Sequence, residues 1–334
     1  MDPADHHSIL PYTTSYRDEY TTYVSSDENH HEDKTIEEKD VLQMVTATIF
    51  SIIFALGIIG NGLVIWIAGF RMKKTISAVW FLHLAIADFL CCASLPLRIV
   101  QQIVSYSCLP SSFVSCLLNN ILFYLNQCTS VLLLTAMSID RWVSVMWPFW
   151  AKVHRTQKLV RITVAIIWGL SLICTGIMFS LTFLFYSRYN IEFTLHLIRL
   201  VFLFVIPFLI IVTSYVTIFL QLRKSKRPQR SQRPYRIITA VILCFFICWA
   251  PYYCLLVFMY KVSKGSFYIL DTVSSSLAYL NSCINPIIYV FMAQDFRHNF
   301  LRSIPFRVEK ALSEPPDGPC GEGDDSGPTP TTEV

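Results

Sequence analysis

The chain is short of charge. Of its 334 residues only 15% are Asp, Glu, Lys or Arg, while 54% are hydrophobic and the mean hydropathy is +0.48. A soluble globular chain carries about 25% charge, so there is too little polar surface here to cover a soluble fold. The same composition excludes disorder as a description of the whole chain. No Cys/His spacing suggests zinc. No nucleophile–base or metal constellation appears, which argues against an enzyme. There is no internal repeat and no polar stripe, which argues against a transporter or channel built from duplicated halves. The N-terminus lacks a signal-peptide h-region, so the first apolar run is expected to serve as both signal and span. No Asn-x-Ser/Thr sequon occurs, so glycosylation at that site is not expected. An integral membrane protein remains.

What is present is a series of apolar runs long enough to cross a bilayer, each needing about 20 residues. Seven are readable, at roughly 42–68, 77–103, 114–146, 160–184, 194–222, 235–260 and 270–293. The predicted fold is an all-α membrane protein, a seven-transmembrane bundle over 41–293. Net charge is +4, unevenly spread: residues 1–40 hold eleven acids and three bases, a net of −8, leaving +12 for the rest. That segment is expected to be a disordered acidic arm. One set of connections carries Arg71, Lys73 and Lys74; Lys152, Arg155, Lys158 and Arg161; the cluster Arg223–Arg236; and Arg297 and Arg302. The opposite set carries only Arg188, Lys261 and Lys264. The positive-inside rule places the first set in the cytoplasm, the N-terminus outside and the C-terminus inside, as in a multi-pass plasma-membrane protein. The basic inner loops would also meet anionic lipid. Residues 294–304 space Phe296, Phe300, Leu301 and Ile304 as a short amphipathic eighth helix on the membrane surface. The tail 305–334 is expected to be disordered.

Eleven cysteines are present. Cys91, Cys92, Cys128, Cys174, Cys244, Cys248, Cys254 and Cys283 lie in apolar runs and read as small buried hydrophobes. Only Cys108 and Cys116 fall near the outer surface.

Polar groups inside spans are costly and mark function by default. Here they are Asn61; Asp88; Asp140-Arg141-Trp142; Trp168; Pro207 and Tyr215; Cys248-Trp249-Ala250-Pro251; and Asn281, Ser282, Asn285-Pro286 and Tyr289. Singly, a lone Asn or Ser is interhelical glue and a lone Pro a kink. Together, in this order, they resemble the rhodopsin-like (class A) G-protein-coupled receptors over about 42–304. That resemblance implies that Asp140 holds Arg141 at rest and releases it towards a G protein, with Tyr215, Tyr289, Asn285 and Pro286 rearranging beside it. It implies a packing switch of Trp249, Phe245, Pro207 and Val131, hinged at Pro251. It also implies an allosteric sodium pocket of Asp88, Ser130, Asn281, Ser282 and Asn285. A carboxylate ringed by neutral oxygens suits a hard monovalent cation on its own chemistry. No other cofactor is expected. No acid at Ser231–Arg236 is available to lock Arg141, so basal restraint is expected to be modest.

Phe123 stands where aminergic receptors place an Asp, which argues against a monoamine ligand, and 270–293 has no Lys, which excludes an opsin. The runs Trp80-Phe81-Leu82-His83-Leu84-Ala85, Pro148-Phe149-Trp150 and Phe245–Tyr252, and the seventh span on to Phe296, resemble the chemoattractant branch. That branch holds chemerin, complement anaphylatoxin and formyl-peptide receptors. Tyr16–Tyr20 and Ala311–Glu314 are most similar to chemerin receptors. The implied function is a receptor for a peptide or protein chemoattractant. It would signal through an inhibitory-class G protein and arrestin in chemotaxis and inflammation, with no role for nucleic acid. The alternatives are a scavenger or arrestin-biased receptor and, remotely, a transporter.

Tyr12, Tyr16, Tyr20 and Tyr23 lie among acids, a sulfation context. Such an arm would steer a basic protein inward; the plainer reading is a solvated tail. Ligand-contact candidates are Arg98, Arg199, Glu192, Asp271 and Tyr252. Either Arg could fork a peptide's terminal carboxylate, or snorkel to headgroups. Thr332 and Val334 fit a PDZ ligand.

The family ties the third span to the second outer loop by a disulfide. Cys116 matches the span position, yet 183–193 is short and holds no Cys. Cys116 pairs with Cys108, or is free, or a loop segment has been lost.

Overall fold

The computed structural model of the chain describes residues 29–71, 75–103, 111–184, 189–224, 233–258 and 264–292. The described residues are helical, with no strand among them. In chain order the helices are α1 (Asn29–Trp66), α2 (Ile76–Ile103), α3 (Ser111–Met146), α4 (Pro148–His154), α5 (Gln157–Leu184), α6 (Tyr189–Leu200), α7 (Ile206–Lys224), α8 (Arg233–Phe258) and α9 (Lys264–Met292). A π-type turn, Val201–Val205, joins α6 to α7, making one span of the pair. Pro207 lies two residues beyond its end. Proline offers no N–H to the carbonyl four residues back, so the ladder rearranges there instead of closing normally. A second π-type turn, Ile67–Arg71, ends α1.

Six of these segments are long and apolar enough to cross a membrane: Val41–Arg71, Ile76–Val100, Val114–Met146, Gln157–Thr182, Phe193–Gln221 and Ile238–Phe258. The seventh, α9, is less apolar because its polar residues point inward. Thr272, Ser274, Ser275, Asn281, Ser282 and Asn285 are all buried in the bundle. Many hydroxyls within the spans bond back to their own helix: Thr46 donates to the Leu42 carbonyl at 2.6 Å and Ser51 to the Ala47 carbonyl at 2.7 Å. Helix starts are capped where side chains allow. Thr75 Oγ1 accepts the Ala78 N–H and Thr156 Oγ1 the Leu159 N–H, each at 3.2 Å. Pro148 opens α4 at a position where a missing N–H costs nothing.

Helix α3 is the axis of the bundle, packing against α2, α5, α7 and α8, while α1, α2 and α9 form one side and α8 joins α9. Hydrophobic driving force between helices is absent in lipid, so close approach and hydrogen bonds hold them. At Gly57 the α1 backbone lies against Cys92 of α2 and Cys283 of α9, and a Cβ there would collide with the Cys92 side chain. One turn on, Asn61 Nδ2 donates to the Ser282 carbonyl at 2.8 Å and to the Gly57 carbonyl at 3.0 Å, tying α1 to α9.

Two expectations need correction. Helix α1 begins at Asn29, so the last twelve residues of the expected disordered arm continue the first span. They contain neither Gly nor Pro, and extending an existing helix requires no new nucleus. Of the eight cysteines expected to be buried, Cys174 and Cys254 are exposed on the outside of the bundle and Cys244 is half-buried. An apolar run in lipid carries small apolar residues on both faces. The amphipathic segment 294–304, the tail and the rest of the arm lie outside the described residues.

Candidate functional site

The chemistry-bearing residues fall in three tiers along the bundle. At the end away from Arg141 is an aromatic vault. Phe123 of α3 is its hub, with ring centroids 4.8 Å from Tyr279, 5.1 Å from Trp249, 5.6 Å from Tyr252 and 5.8 Å from Tyr124. Phe204 of the π-type turn stacks edgewise on Phe246 at 5.1 Å and lies 5.0 Å from Tyr253. Against this vault sits Arg199, only 3% exposed. Its Cζ lies 4.5 Å over the Tyr124 ring, and its Nη2 donates to Thr182 Oγ1 at 2.9 Å. A guanidinium tolerates such a place because it is weakly hydrated and binds ring faces. His196, one turn earlier, is buried, and neither ring nitrogen has a hydrogen-bond partner among the described residues. Across the vault, Arg98 is within electrostatic range of Asp271 and Cys116. Asn119 Oδ1 accepts from Ser94 Oγ and from Tyr279 OH, both at 3.1 Å, clasping α2, α3 and α9 together.

Beneath the vault is a polar layer around Asp88, which is fully buried. Its Oδ1 accepts from Asn126 Nδ2 at 3.0 Å and its Oδ2 from Asn285 Nδ2 at 2.8 Å. Asn126 Nδ2 also reaches Ser282 Oγ at 3.1 Å, and Ser130 Oγ donates to Asn126 Oδ1 at 3.0 Å. Ser130 thus meets Asp88 through Asn126. The Oδ1 atoms of Asn281 and Asn285 are buried without a hydrogen-bond partner among the described residues. Spare acceptor oxygens around a buried carboxylate fit a hard monovalent cation. Trp249, Phe245 and Val131 are buried together between vault and layer, with Phe245 5.9 Å from Trp249.

The third tier is the end bearing Arg141, and here the structure departs from expectation. Asp140 does not spend its carboxylate on Arg141. Both its oxygens take the fork of Arg155, Nε to Oδ1 and Nη2 to Oδ2, each at 2.6 Å. Arg141 instead donates Nη2 to Ser77 Oγ of α2 at 2.5 Å. The reason is geometric. The two-residue turn after α4 swings Arg155 back onto α3, where its planar fork takes both carboxylate oxygens. Tyr289 is buried 4.8 Å from Phe81, and Tyr215 is half-buried against the core.

Of the other expected ligand contacts, Tyr252 is buried in the vault and Asp271 is half-buried near Arg98. The Glu192 side chain, Cys108, Tyr12, Tyr16, Tyr20, Tyr23, Thr332 and Val334 lie outside the described residues. Cys116 is a free thiol 3.6 Å from Asn120 Nδ2, and the α5–α6 connection is only residues 185–188. Residues missed from sequence are Asn119, Asn126, Tyr124, Tyr279, Thr182, His196, Ser77 and Arg155. Asn126 sits one turn before Ser130 and Tyr279 two residues before Asn281, so both carried a polar-in-span signal. Ser77 and Arg155 carried none.

The family "7 transmembrane receptor (rhodopsin family)" matches residues 60–289. Among curated relatives, the mouse (Mus musculus) formyl peptide receptor 2 is 36% identical over 327 residues, covering 88% of this chain and 92% of that one. The zebrafish (Danio rerio) C3a anaphylatoxin chemotactic receptor is 36% identical over 288 residues, covering 82% and 79%. The human (Homo sapiens) chemerin-like receptor 1 is 35% identical over 346 residues, covering 94% and 91%. That last alignment has more positions than this chain has residues, so the relative holds residues with no counterpart here.

Proposed function

This chain belongs to the rhodopsin family of seven-transmembrane receptors, and from that premise we propose that it is a plasma-membrane receptor for a peptide or protein chemoattractant, coupled to an inhibitory-class G protein. The acidic arm faces outside, and the basic connections and tail face the cytoplasm. The observation that carries the ligand reading is Arg199, a guanidinium 3% exposed and set over the Tyr124 ring beside an aromatic vault. A buried cation among aromatic walls suits the terminal carboxylate of a peptide whose last side chains are apolar. Arg98, paired in range with Asp271, offers a second polar contact at the same end. The acidic arm, sulfated at Tyr12, Tyr16, Tyr20 or Tyr23, concentrates a basic ligand.

Signalling runs down the bundle from there. A ligand pressing on Phe123 and Tyr252 displaces Trp249, which both rings touch. Pro251, two residues on, lacks a backbone donor and lets α8 swing. Asp88, with Ser130, Asn281, Ser282 and Asn285, holds a sodium ion that favours the resting state. Arg141, Tyr215, Tyr289, Asn285 and Pro286 then engage the G protein, and arrestin and a PDZ protein read the tail.

The test is suppression of cAMP in cells expressing the chain, with surface staining of the N-terminus, against chemerin, anaphylatoxin and formyl-peptide ligands. A response that is lost in Arg141→Ala is the expected result. Good surface staining with no response to any of the three classes would refute this ligand assignment.

A further inference from the structure

Two buried polar groups beside Arg199 are left unused by the receptor mechanism above. His196 of α6 is 5% exposed and Tyr253 of α8 is 1% exposed. Neither ring nitrogen of His196, nor the Tyr253 hydroxyl, has a hydrogen-bond partner among the described residues. Buried polar atoms are nearly always paired, because an unmet donor forfeits its hydration without return. Both groups converge on the same cation. His196 stands three residues before Arg199, so the two share one face of α6. Arg199 lies within electrostatic range of His196 and of Tyr253. Helix α6 packs on α8, and the Tyr253 ring is held 5.0 Å from Phe204. Arg199 itself is fixed by Thr182 of α5 and by the Tyr124 ring of α3.

We infer that His196 and Tyr253 complete an anion clasp with Arg199, in which the carboxylate of a ligand's last residue accepts from the guanidinium, the Tyr253 O–H and one His196 ring N–H together. The inference rests on the reading of Arg199 as the contact for a peptide's terminal carboxylate, and it names the side chains that select that end over an uncharged one. The chemistry of the three groups favours such an anion. The guanidinium repels a cationic group, while the neutral imidazole and the phenol each have a hydrogen to donate. A carboxylate presents about four lone-pair sites, enough for an arginine fork and two further donors. With one cation in the clasp, a monoanion is matched in charge and a phosphate dianion is not.

The experiment titrates the full chain in nanodiscs with N-acetyl-phenylalanine and, separately, with N-acetyl-phenylalaninamide, the same aromatic end with and without the charge. Ligand-observed NMR reads the two dissociation constants. The acid should bind at least about tenfold more tightly, the factor expected from one hydrogen bond to a charged group. That preference should fall to about twofold or less in Tyr253→Phe, which removes a single oxygen atom, and in His196→Phe. It should survive in His196→Gln, whose amide keeps a donor. A preference that persists in Tyr253→Phe, or in a folded His196→Phe, overturns the inference. If Arg199→Ala abolishes the preference all the same, the terminal-carboxylate reading of Arg199 stands without the clasp. A preference lost equally in His196→Gln would make His196 a packing residue and likewise overturn the inference. If His196→Phe does not fold, Tyr253→Phe decides, since it keeps the ring against Phe204. No preference in the unaltered chain overturns the reading and the inference together.

Discussion

Removing Arg155 should silence the receptor by giving Asp140 back to Arg141. The fork is bidentate, with both contacts at 2.6 Å, and the side chains are 24% and 12% exposed for Arg155 and Asp140. That is too buried for the near-zero value of a surface pair and too wet for the several kcal/mol of a fully buried one. A charge-assisted pair in this regime is worth about 2 kcal/mol, or about thirtyfold in the population it controls. In Arg155→Ala the Asp140 carboxylate loses both donors, and the next guanidinium along the chain is Arg141, now bonded to Ser77. Capture of Arg141 stabilises the resting state. Basal nucleotide exchange per surface receptor should therefore fall by about tenfold, with part of the 2 kcal/mol lost to water that solvates the freed carboxylate. The companion Asp140→Asn should leave basal exchange near that of the unaltered chain, because Arg141 is bonded to Ser77 and not to Asp140. The double variant Asp140→Asn/Arg155→Ala should behave as Asp140→Asn alone, because with no carboxylate the loss of Arg155 has nothing to release. Exchange that is unchanged in Arg155→Ala, or additive effects in the double variant, would refute this reasoning.

Three further outcomes are expected. Gly57→Ala should lower the unfolding temperature of the solubilised receptor, by an overpacking cost of about 1–3 kcal/mol, since the new methyl collides with Cys92; Cys92→Ala should restore most of it in a thermal-shift series. Arg199→Ala should weaken peptides ending in a free carboxylate by about tenfold or more while leaving their C-terminal amides unaffected, and competition binding with matched acid and amide pairs checks this. Asp88→Asn should abolish any dependence of agonist affinity on sodium, because the amide has no charge to hold the ion; a sodium titration against a potassium control would contradict the assignment if the dependence persisted.

The bundle was legible because a bilayer enforces a simple rule. Each span must satisfy its own backbone, so apolar length alone marks it, and all seven expected runs are helices whose bounds agree within several residues except for the start of the first. The exception on hydropathy, α9, is the span that buries six polar residues in the bundle, and its Asn285-Pro286 and Tyr289 announced it instead. The early start of α1 was not legible, since charge density argues for disorder while the continuity of a helix argues against it. Nor was the exposure of Cys174 and Cys254, because a run apolar on every side does not tell its lipid face from its core face.

Within the site, identity was easier to read than pairing. Asp88, Asn285 and Ser282 were named together and are found together, since a costly buried carboxylate must gather every donor its neighbours can supply. Asn126 escaped notice only because an amide in a span reads equally well as a tie between helices, and it acts as one here: its Nδ2 bonds to Asp88 and Ser282, and its Oδ1 accepts from Ser130. The pairing of Asp140 failed for a different reason. Adjacency in sequence suggested Arg141, yet the partner came from fifteen residues away, through a helix of seven residues and a turn. The position of that turn depends on Trp147 packing edgewise on Trp142, a tertiary contact no local pattern encodes. Which arginine Asp140 holds is thus set by where α4 sits. A partner that grips α4 from outside, for example on the exposed Phe149 ring, acts on the same element that carries Arg155 to Asp140.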